Sequence, residues 1–221
     1  IYYCLFYVNY QFNGIRQGLV MAMFLFSIKY IIDRKFISVL IISLIASMIH
    51  LCGILILFAY FMAAINFKSR ILLIIILFVS FLIWKFGIGE QIFMMLLDYF
   101  YGYLIQHIQL YFKLFLSPHT FFQVLQRVLI IIPLIYFYPK LSDSKPFVTL
   151  FNIYFWGTVI YLCFGFFGLF IARINMFFRI LEVLFIPIIF ERIKTKNQQL
   201  YALCAITCWG FIVLTWVYAK E

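Results

Sequence analysis

The sequence consists mostly of long apolar runs separated by short polar stretches. A membrane-spanning helix needs about 20 mostly apolar residues, and the runs cover residues 15–32, 36–65, 71–86, 121–138, 147–172, 174–190 and 200–218. The period-two alternation that is typical of half-buried strands is missing from them. The sequence therefore predicts an all-α, polytopic bundle of transmembrane helices.

The composition excludes several classes of protein. Hydrophobic residues make up 67% of the chain and charged residues only 11%, whereas a soluble domain is about one quarter charged. A soluble enzyme, a disordered tail and a disulfide-rich secreted domain are therefore excluded. The formal net charge is +10, but the basic residues are scattered between apolar runs, so we expect membrane lipid and phosphate as partners and no nucleic acid.

Basic loops predict which ends of the helices face the cytoplasm. By the positive-inside rule, the stretches at 68–70, 140–145 and 192–196 are cytoplasmic. This places the turn at 172–175 and the mixed polar and aromatic stretch 87–120 outside, the latter as amphipathic helices on the membrane surface. We expect one transmembrane domain over 1–221. Because the chain begins with Ile and its first ten residues resemble the end of an apolar segment, we expect a fragment that lacks an N-terminal part.

The run 36–65 permits two arrangements, because it is too long for one upright span and short for two. In one arrangement, two short helices dip into the membrane and meet near residues 50–53, so that Arg16, His50 and Arg173 all reach the outer face. In the other, a single tilted helix places Arg34 and Lys35 outside.

Charged residues within apolar helices cost about 2.5 to 3.5 kcal/mol each at the helix centre, so each requires an explanation. Arg179 and Glu182 are three residues apart and are expected to neutralise each other on one helix face. Arg173 has no acidic neighbour within a helical turn and precedes Asn175 closely, which favours phosphate recognition by its guanidinium over a role as an interfacial anchor. Arg127 fits an inward-facing polar stripe and an interfacial anchor equally well.

The histidines show no metal-site spacing. His50 lies within an apolar run, has no histidine or carboxylate at i+3 or i+4, and taken alone is typical of a hydrogen-bonded core residue. We expect His107 and His119 at the surface. No phosphate-binding loop, nucleophile elbow or zinc motif is present, so we expect no metal and no cofactor.

Two blocks of sequence carry a resemblance to a known family. The first has an Asn-x-x-Arg-Gln pattern at the head of an apolar helix, then a basic turn and an Ala-x-x-x-His pattern; the second is an Arg-led helix that ends in Ile-Pro. These blocks resemble the EpsG family of exopolysaccharide membrane proteins, relatives of Wzy-type O-antigen polymerases. The matching residues are Asn13, Arg16, Gln17, Arg34, Lys35, Ala46 and His50, and later Arg173, Phe177, Phe178, Ile186 and Pro187.

The resemblance implies a bacterial glycosyltransferase of the cytoplasmic membrane, one that polymerises polyprenyl-diphosphate-linked oligosaccharides on the outer face. It implies catalytic roles for Arg16 and Arg173, which would stabilise the leaving diphosphate, and for His50, which would take the acceptor proton. Substrate contacts are expected from four further residues, and other polysaccharide export proteins are expected partners. The four residues are Asn13, Gln17, Arg127 and Asn175. The chain has Cys52 and Phe177 where relatives often carry hydroxyl side chains.

Other functions remain open at this point. A ligase would use the same kind of donor, and a flippase or transporter would use the intramembrane arginines to guide an anionic lipid across. A structural subunit of a larger membrane complex would need these arginines only for assembly.

Overall fold

A computed structural model describes residues 14–65, 67, 69–101 and 119–192, and all regular structure there is helical, which confirms the all-α class. The chain divides into two compact units, residues 1–61 with 179–221 and residues 62–178. The described helices are α1 Ile15–Ile32, α2 Phe36–Ile49, α3 Leu55–Met62, α4 Arg70–Phe86, α5 Ile88–Tyr101, α6 Phe121–Leu141, α7 Lys145–Cys163, α8 Gly168–Arg179 and α9 Glu182–Arg192.

Several helices are long and apolar enough to cross a membrane, as the apolar runs predict. Within the described residues these are α1, α6 and α7, and α4 with the first part of α5 makes a fourth candidate that bends by 72°. The bend lies at Gly87, whose φ of +64° is the left-handed conformation that glycine adopts without strain. The chain is therefore a membrane protein with several spans, and α5 begins the predicted surface segment 87–120. Residues 102–118 of that segment lie outside the described residues.

In the first unit, residues 36–61 form a helical hairpin. The chain breaks after α2, makes a short 3-10 turn at Leu51–Ile54 and returns as α3. At the open end, Arg34 Nη1 donates to the carbonyl oxygen of Tyr60 at 3.1 Å, and the Phe36 and Tyr60 rings lie 5.5 Å apart. The structure therefore agrees with two short helices that meet near residues 50–53, and both ends of the hairpin lie on the same side.

The tip of this hairpin is held by backbone packing. The Ser43 hydroxyl donates to the carbonyl oxygen of Gly53 at 3.0 Å. A Cβ atom at Gly53 would lie 2.3 Å from the backbone nitrogen of Ser47, so only glycine permits this approach. Since α2 has 14 residues, it is about 21 Å long and does not cross a hydrocarbon core of about 30 Å.

In the second unit, α7 is the central helix. It is buried over most of its length and contacts both α4 and α6. A core cluster joins Val124 of α6, Tyr161 and Leu162 of α7, and Ile171 of α8. The basic residues Arg70, Lys140 and Lys145 begin or end α4, α6 and α7, and Arg70 and Lys140 both lie over the Tyr136 ring. These three residues form the basic end of the second unit.

Two predicted boundaries in this region are wrong. The run 147–172 is not one helix, because α7 ends at Cys163 and the chain turns through Gly165–Phe167 before α8 begins. The turn expected at 172–175 is instead part of α8. Gly165 permits the reversal at the earlier position, because a Cβ atom there would lie 2.8 Å from Trp84 Cδ1.

Candidate functional site

Arg16 and Gln17 occupy the first turn of α1, where backbone N–H groups have no helical partner. The N-terminal cap is Gly14, which provides no side-chain hydrogen bond. The Arg16 side chain is exposed and Gln17 is half-buried. A positive side chain beside the N–H groups of a helix N-terminus suits an anion. Asn13, the other polar residue of this sequence block, lies outside the described residues.

His50 lies at the hairpin tip, between α2 and the 3-10 turn. The turn at Leu51–Ile54 contacts α1. A connection of three residues joins α1 to α2, and the two helices pack side by side. Since they have 18 and 14 residues, their lengths differ by about 6 Å. The far end of α2, where the tip begins, therefore lies within about 6 Å of the α1 N-terminus, measured along the helix axis. The first unit therefore brings His50 to the same end as Arg16 and Gln17.

The His50 ring has a defined hydrogen bond. The backbone N–H of Cys52 donates to His50 Nδ1 at 3.2 Å, so Nδ1 is an acceptor. A neutral imidazole has one donor and one acceptor nitrogen, and its proton is therefore on Nε2. In this conformation His50 presents an N–H donor to its surroundings. A general base at Nε2 would need the proton on Nδ1, where it would face the Cys52 N–H.

In the second unit, Arg127 is buried against an aromatic ring. Its side chain is 7% exposed, and Cζ lies 5.0 Å from the centroid of the Tyr161 ring. Gln126 beside it is 6% exposed. Of the two interpretations of Arg127, the structure therefore supports the inward-facing side chain and not the interfacial anchor. A guanidinium over an aromatic face gains about 0.5 to 2 kcal/mol of cation–π attraction.

His119 was expected at the surface, and that expectation is wrong. The side chain is 6% exposed, and its ring stacks on Tyr161 with centroids 4.0 Å apart. The backbone N–H of His119 donates to the carbonyl oxygen of Gly165 at 3.1 Å. The sequence contains a signal for this burial: Thr120 and Gln123 form a capping box, and the residue before such a box often packs back on its helix. His107 lies outside the described residues.

Burial lowers the pKa of His119 to about 4, and the positive charge of Arg127 adds to this effect, while a hydrogen bond with Gln123 opposes it. The His119 ring therefore binds a proton less readily in the folded state than in the unfolded chain, where the pKa of a histidine is about 6.5. Stability conferred by the neutral ring is present above pH 6.5 and is lost as the pH falls towards 4.

Acidification is expected to destabilise the protein through His119. Between pH 7 and pH 5 the loss is about 2 kcal/mol, and it should be measured by thermal unfolding in detergent. His119→Phe keeps the stacked ring but removes the titration, so its unfolding should depend less on pH. An equal pH dependence in the two proteins would show that His119 is not responsible.

Asn175 and Arg173 lie on α8 and differ in exposure. The Asn175 side chain is 2% exposed, and its Nδ2 donates to the carbonyl oxygen of Gly157 on α7 at 2.8 Å. Gly157 has no space for a side chain, since a Cβ atom would lie 2.5 Å from Phe178 Cβ. Asn175 therefore joins two closely packed helices. Arg173 is exposed and lies about 8 Å along α8 from its start.

Arg179 and Glu182 form the expected ion pair, but not on one helix face. Arg179 ends α8 and Glu182 begins α9, so the pair crosses the break between them. Arg179 Nε donates to Glu182 Oε1 at 2.9 Å and Nη2 donates to Oε2 at 3.4 Å. Both side chains are buried.

The predicted site residues thus fall in two groups. The first unit brings together Arg16, Gln17 and His50, and the second contains Arg127, Arg173 and Asn175. In the described ranges, no three His, Cys, Asp or Glu side chains are grouped so that they could hold a metal ion.

Comparison with known proteins identifies the family. The sequence model of the EpsG family matches residues 1–221, the whole chain. Searches of curated proteins and of solved structures give no match. The family is linked to exopolysaccharide biosynthesis, and its match covers both sequence blocks that carry the motifs. The chain is therefore an exopolysaccharide-associated membrane protein and belongs to the EpsG family.

Proposed function

We propose that the protein is a polysaccharide polymerase of the bacterial cytoplasmic membrane. It joins oligosaccharide repeat units carried on polyprenyl diphosphate, on the outer face. The observation that carries the proposal is the hairpin of residues 36–61, whose tip contacts α1 and brings His50 to the end of the first unit at which α1 begins. Family membership supplies the connection to exopolysaccharides. Other polysaccharide export proteins are proposed partners.

The N-terminus of α1 is the proposed site for the diphosphate. The N–H groups of its first turn carry a partial positive charge, and the Arg16 guanidinium adds a full one. No acidic residue lies in the first turn of α1 or in the 3-10 turn Leu51–Ile54, so no negative charge in these two segments opposes an anion. Positive groups that are fixed before reaction stabilise charge as it develops, without a metal.

The reaction transfers a glycosyl group. An acceptor hydroxyl oxygen bonds to the anomeric carbon, and the bond from that carbon to the diphosphate oxygen breaks, its electron pair leaving with the diphosphate. The proton of the hydroxyl passes to an oxygen of the leaving diphosphate. In this scheme, His50 donates a hydrogen bond from Nε2 to the diphosphate, as its bond with Cys52 favours. The family resemblance implied a base at this position, and the Nδ1 hydrogen bond favours a donor.

Residues of the second unit have separate proposed roles. We propose that the exposed Arg173 binds phosphate and that Arg127 binds substrate through its guanidinium. Tyr161 holds Arg127 in place, because its buried ring lies against both Arg127 and His119. Gln17 and Asn13 are proposed to bind substrate beside Arg16. Asn175 supports this region through its bond to Gly157.

Substitution of His50 distinguishes a donor from a base. Glutamine places an N–H donor near the position of Nε2 but does not transfer protons, whereas asparagine can accept from the Cys52 N–H and lacks the reach. We expect His50→Gln to retain polymer within about tenfold of wild type, and His50→Asn to lose about 100-fold. The measurement is polymer yield in cells, with membrane protein levels matched.

The opposite results have distinct meanings. Loss of polymer in both variants would indicate proton transfer by His50 and would contradict the donor role. A normal polymer yield in both variants would indicate that His50 only packs in the core. The hairpin tip would then not be part of the proposed site.

A further inference from the structure

A groove lies on the second unit between α4 and α6, apart from all the residues discussed as a site. Its volume is about 630 Å³, within the range of small-molecule sites. The walls are almost entirely apolar: Ile74, Phe78 and Phe81 contribute from α4, and Val128, Ile132 and Tyr136 contribute from α6. Core residues Leu77 and Val124 form its base.

One end of the groove is basic. Arg70 lines it, and its Cζ lies 5.9 Å from the centroid of the Tyr136 ring. Lys140 Nζ lies 5.1 Å from the same centroid. In the described part of the chain neither cation makes an ion pair, and no acidic residue lines the groove. Two positive charges at the mouth of an apolar groove match an anionic head group with a hydrocarbon chain.

The position along the membrane selects the source of that ligand. Arg70 and Lys140 belong to the basic end of the unit, which the positive-inside rule assigns to the cytoplasm. From Arg70 to Phe81 the groove follows α4 for about 17 Å, close to half of a hydrocarbon core of about 30 Å. A lipid of the cytoplasmic leaflet would therefore place its phosphate at Arg70 and one acyl chain along the groove.

We propose that this groove binds an anionic phospholipid of the cytoplasmic leaflet, with the phosphate between Arg70 and Lys140 and an acyl chain against Ile74 and Ile132. Tyr136 separates the two regions as an interfacial aromatic residue. The ligand differs from the proposed donor, whose diphosphate binds at the outer face. The site is independent of the polymerase proposal.

Native mass spectrometry of the full chain in mild detergent tests this site. The probes are dioleoyl phosphatidylglycerol and dioleoyl phosphatidylcholine, which differ in head-group charge and share acyl chains. We expect about tenfold more bound phosphatidylglycerol than phosphatidylcholine. The double variant Arg70→Gln/Lys140→Gln should remove this preference, because it removes the phosphate contacts. The matched control Lys145→Gln, a basic residue at the same end but outside the groove, should keep it.

A second variant tests the apolar part. Ile74→Trp fills the groove and should reduce binding of both lipids several-fold, while the thermal unfolding without added lipid stays as in wild type. Equal binding of the two lipids, no effect of Ile74→Trp, or equal losses in Arg70→Gln/Lys140→Gln and Lys145→Gln would overturn the proposal. Displacement of phosphatidylglycerol by an equimolar polyprenyl phosphate would also overturn it. Retention of neither lipid would likewise overturn the proposal, because the groove would then not be open to a phospholipid.

Discussion

Gly53→Ala is expected to abolish most polymer synthesis. A Cβ atom at this position would lie 2.3 Å from Ser47 N and 2.4 Å from the carbonyl carbon of Ala46. Both are backbone atoms of α2, so no side-chain movement can relieve the overlap. The 3-10 turn must therefore move away from α2, and His50 must move with it, because the Gly53 N–H donates to the His50 carbonyl oxygen at 2.8 Å.

The expected loss of activity is on the order of 100-fold, as for a misplacement of about 1 Å in an active site. The expected loss of stability is about 1 to 3 kcal/mol. Polymer yield and thermal unfolding should be measured on the same preparations. The control is Gly87→Ala, because a Cβ atom there meets nothing within 4 Å and only the positive φ opposes it. Full activity of Gly53→Ala would mean that the hairpin tip does not position the reacting groups.

Glu182→Gln is expected to destabilise the protein strongly. It keeps the shape of the side chain and leaves the buried positive charge of Arg179 without its carboxylate, whose nearest contact is 2.9 Å. Removal of one partner of a buried ion pair costs about 3 to 5 kcal/mol. The amount of protein in the membrane and its melting temperature should both fall.

A double variant separates the charge from the packing. Arg179→Met/Glu182→Leu removes both charges and should recover most of the stability lost in Glu182→Gln, since paired removal is often neutral. The control Asp33→Asn breaks an exposed pair, whose oxygen lies 3.8 Å from Lys35 Nζ, and should cost less than about 1 kcal/mol. A melting temperature of Glu182→Gln equal to that of Asp33→Asn would contradict the bridging role of the pair.

The sequence predicts the spans well where polar residues limit them. The run 15–32 ends at a charged turn, and α1 has the same bounds. The break within 36–65 depends on contacts that local sequence does not reveal, above all the approach of Gly53 to α2. The prediction of one helix over 147–172 was wrong for a related reason. The turn at Gly165–Phe167 is itself apolar, so the sequence does not mark it.

The candidate site was predictable only in part. The motif residues Arg16 and His50 could be selected from the family pattern, since their order along the chain carries the resemblance. The contacts of His119 and Arg127 with Tyr161 could not, because they depend on the packing of α6 against α7. The hydrogen bond from Cys52 to His50 also required the local backbone geometry.

The most direct test of the polymerase proposal is deletion of the full-length gene in its own host. Lipid-linked oligosaccharides and surface polysaccharide would be compared by mass spectrometry and gel electrophoresis. We expect single repeat units displayed on the outer face of the cytoplasmic membrane, with no polymer. Repeat units confined to the cytoplasmic face would instead indicate a flippase. Polymer that forms but stays attached to its lipid carrier would indicate a ligase. Either result would contradict the proposed polymerase.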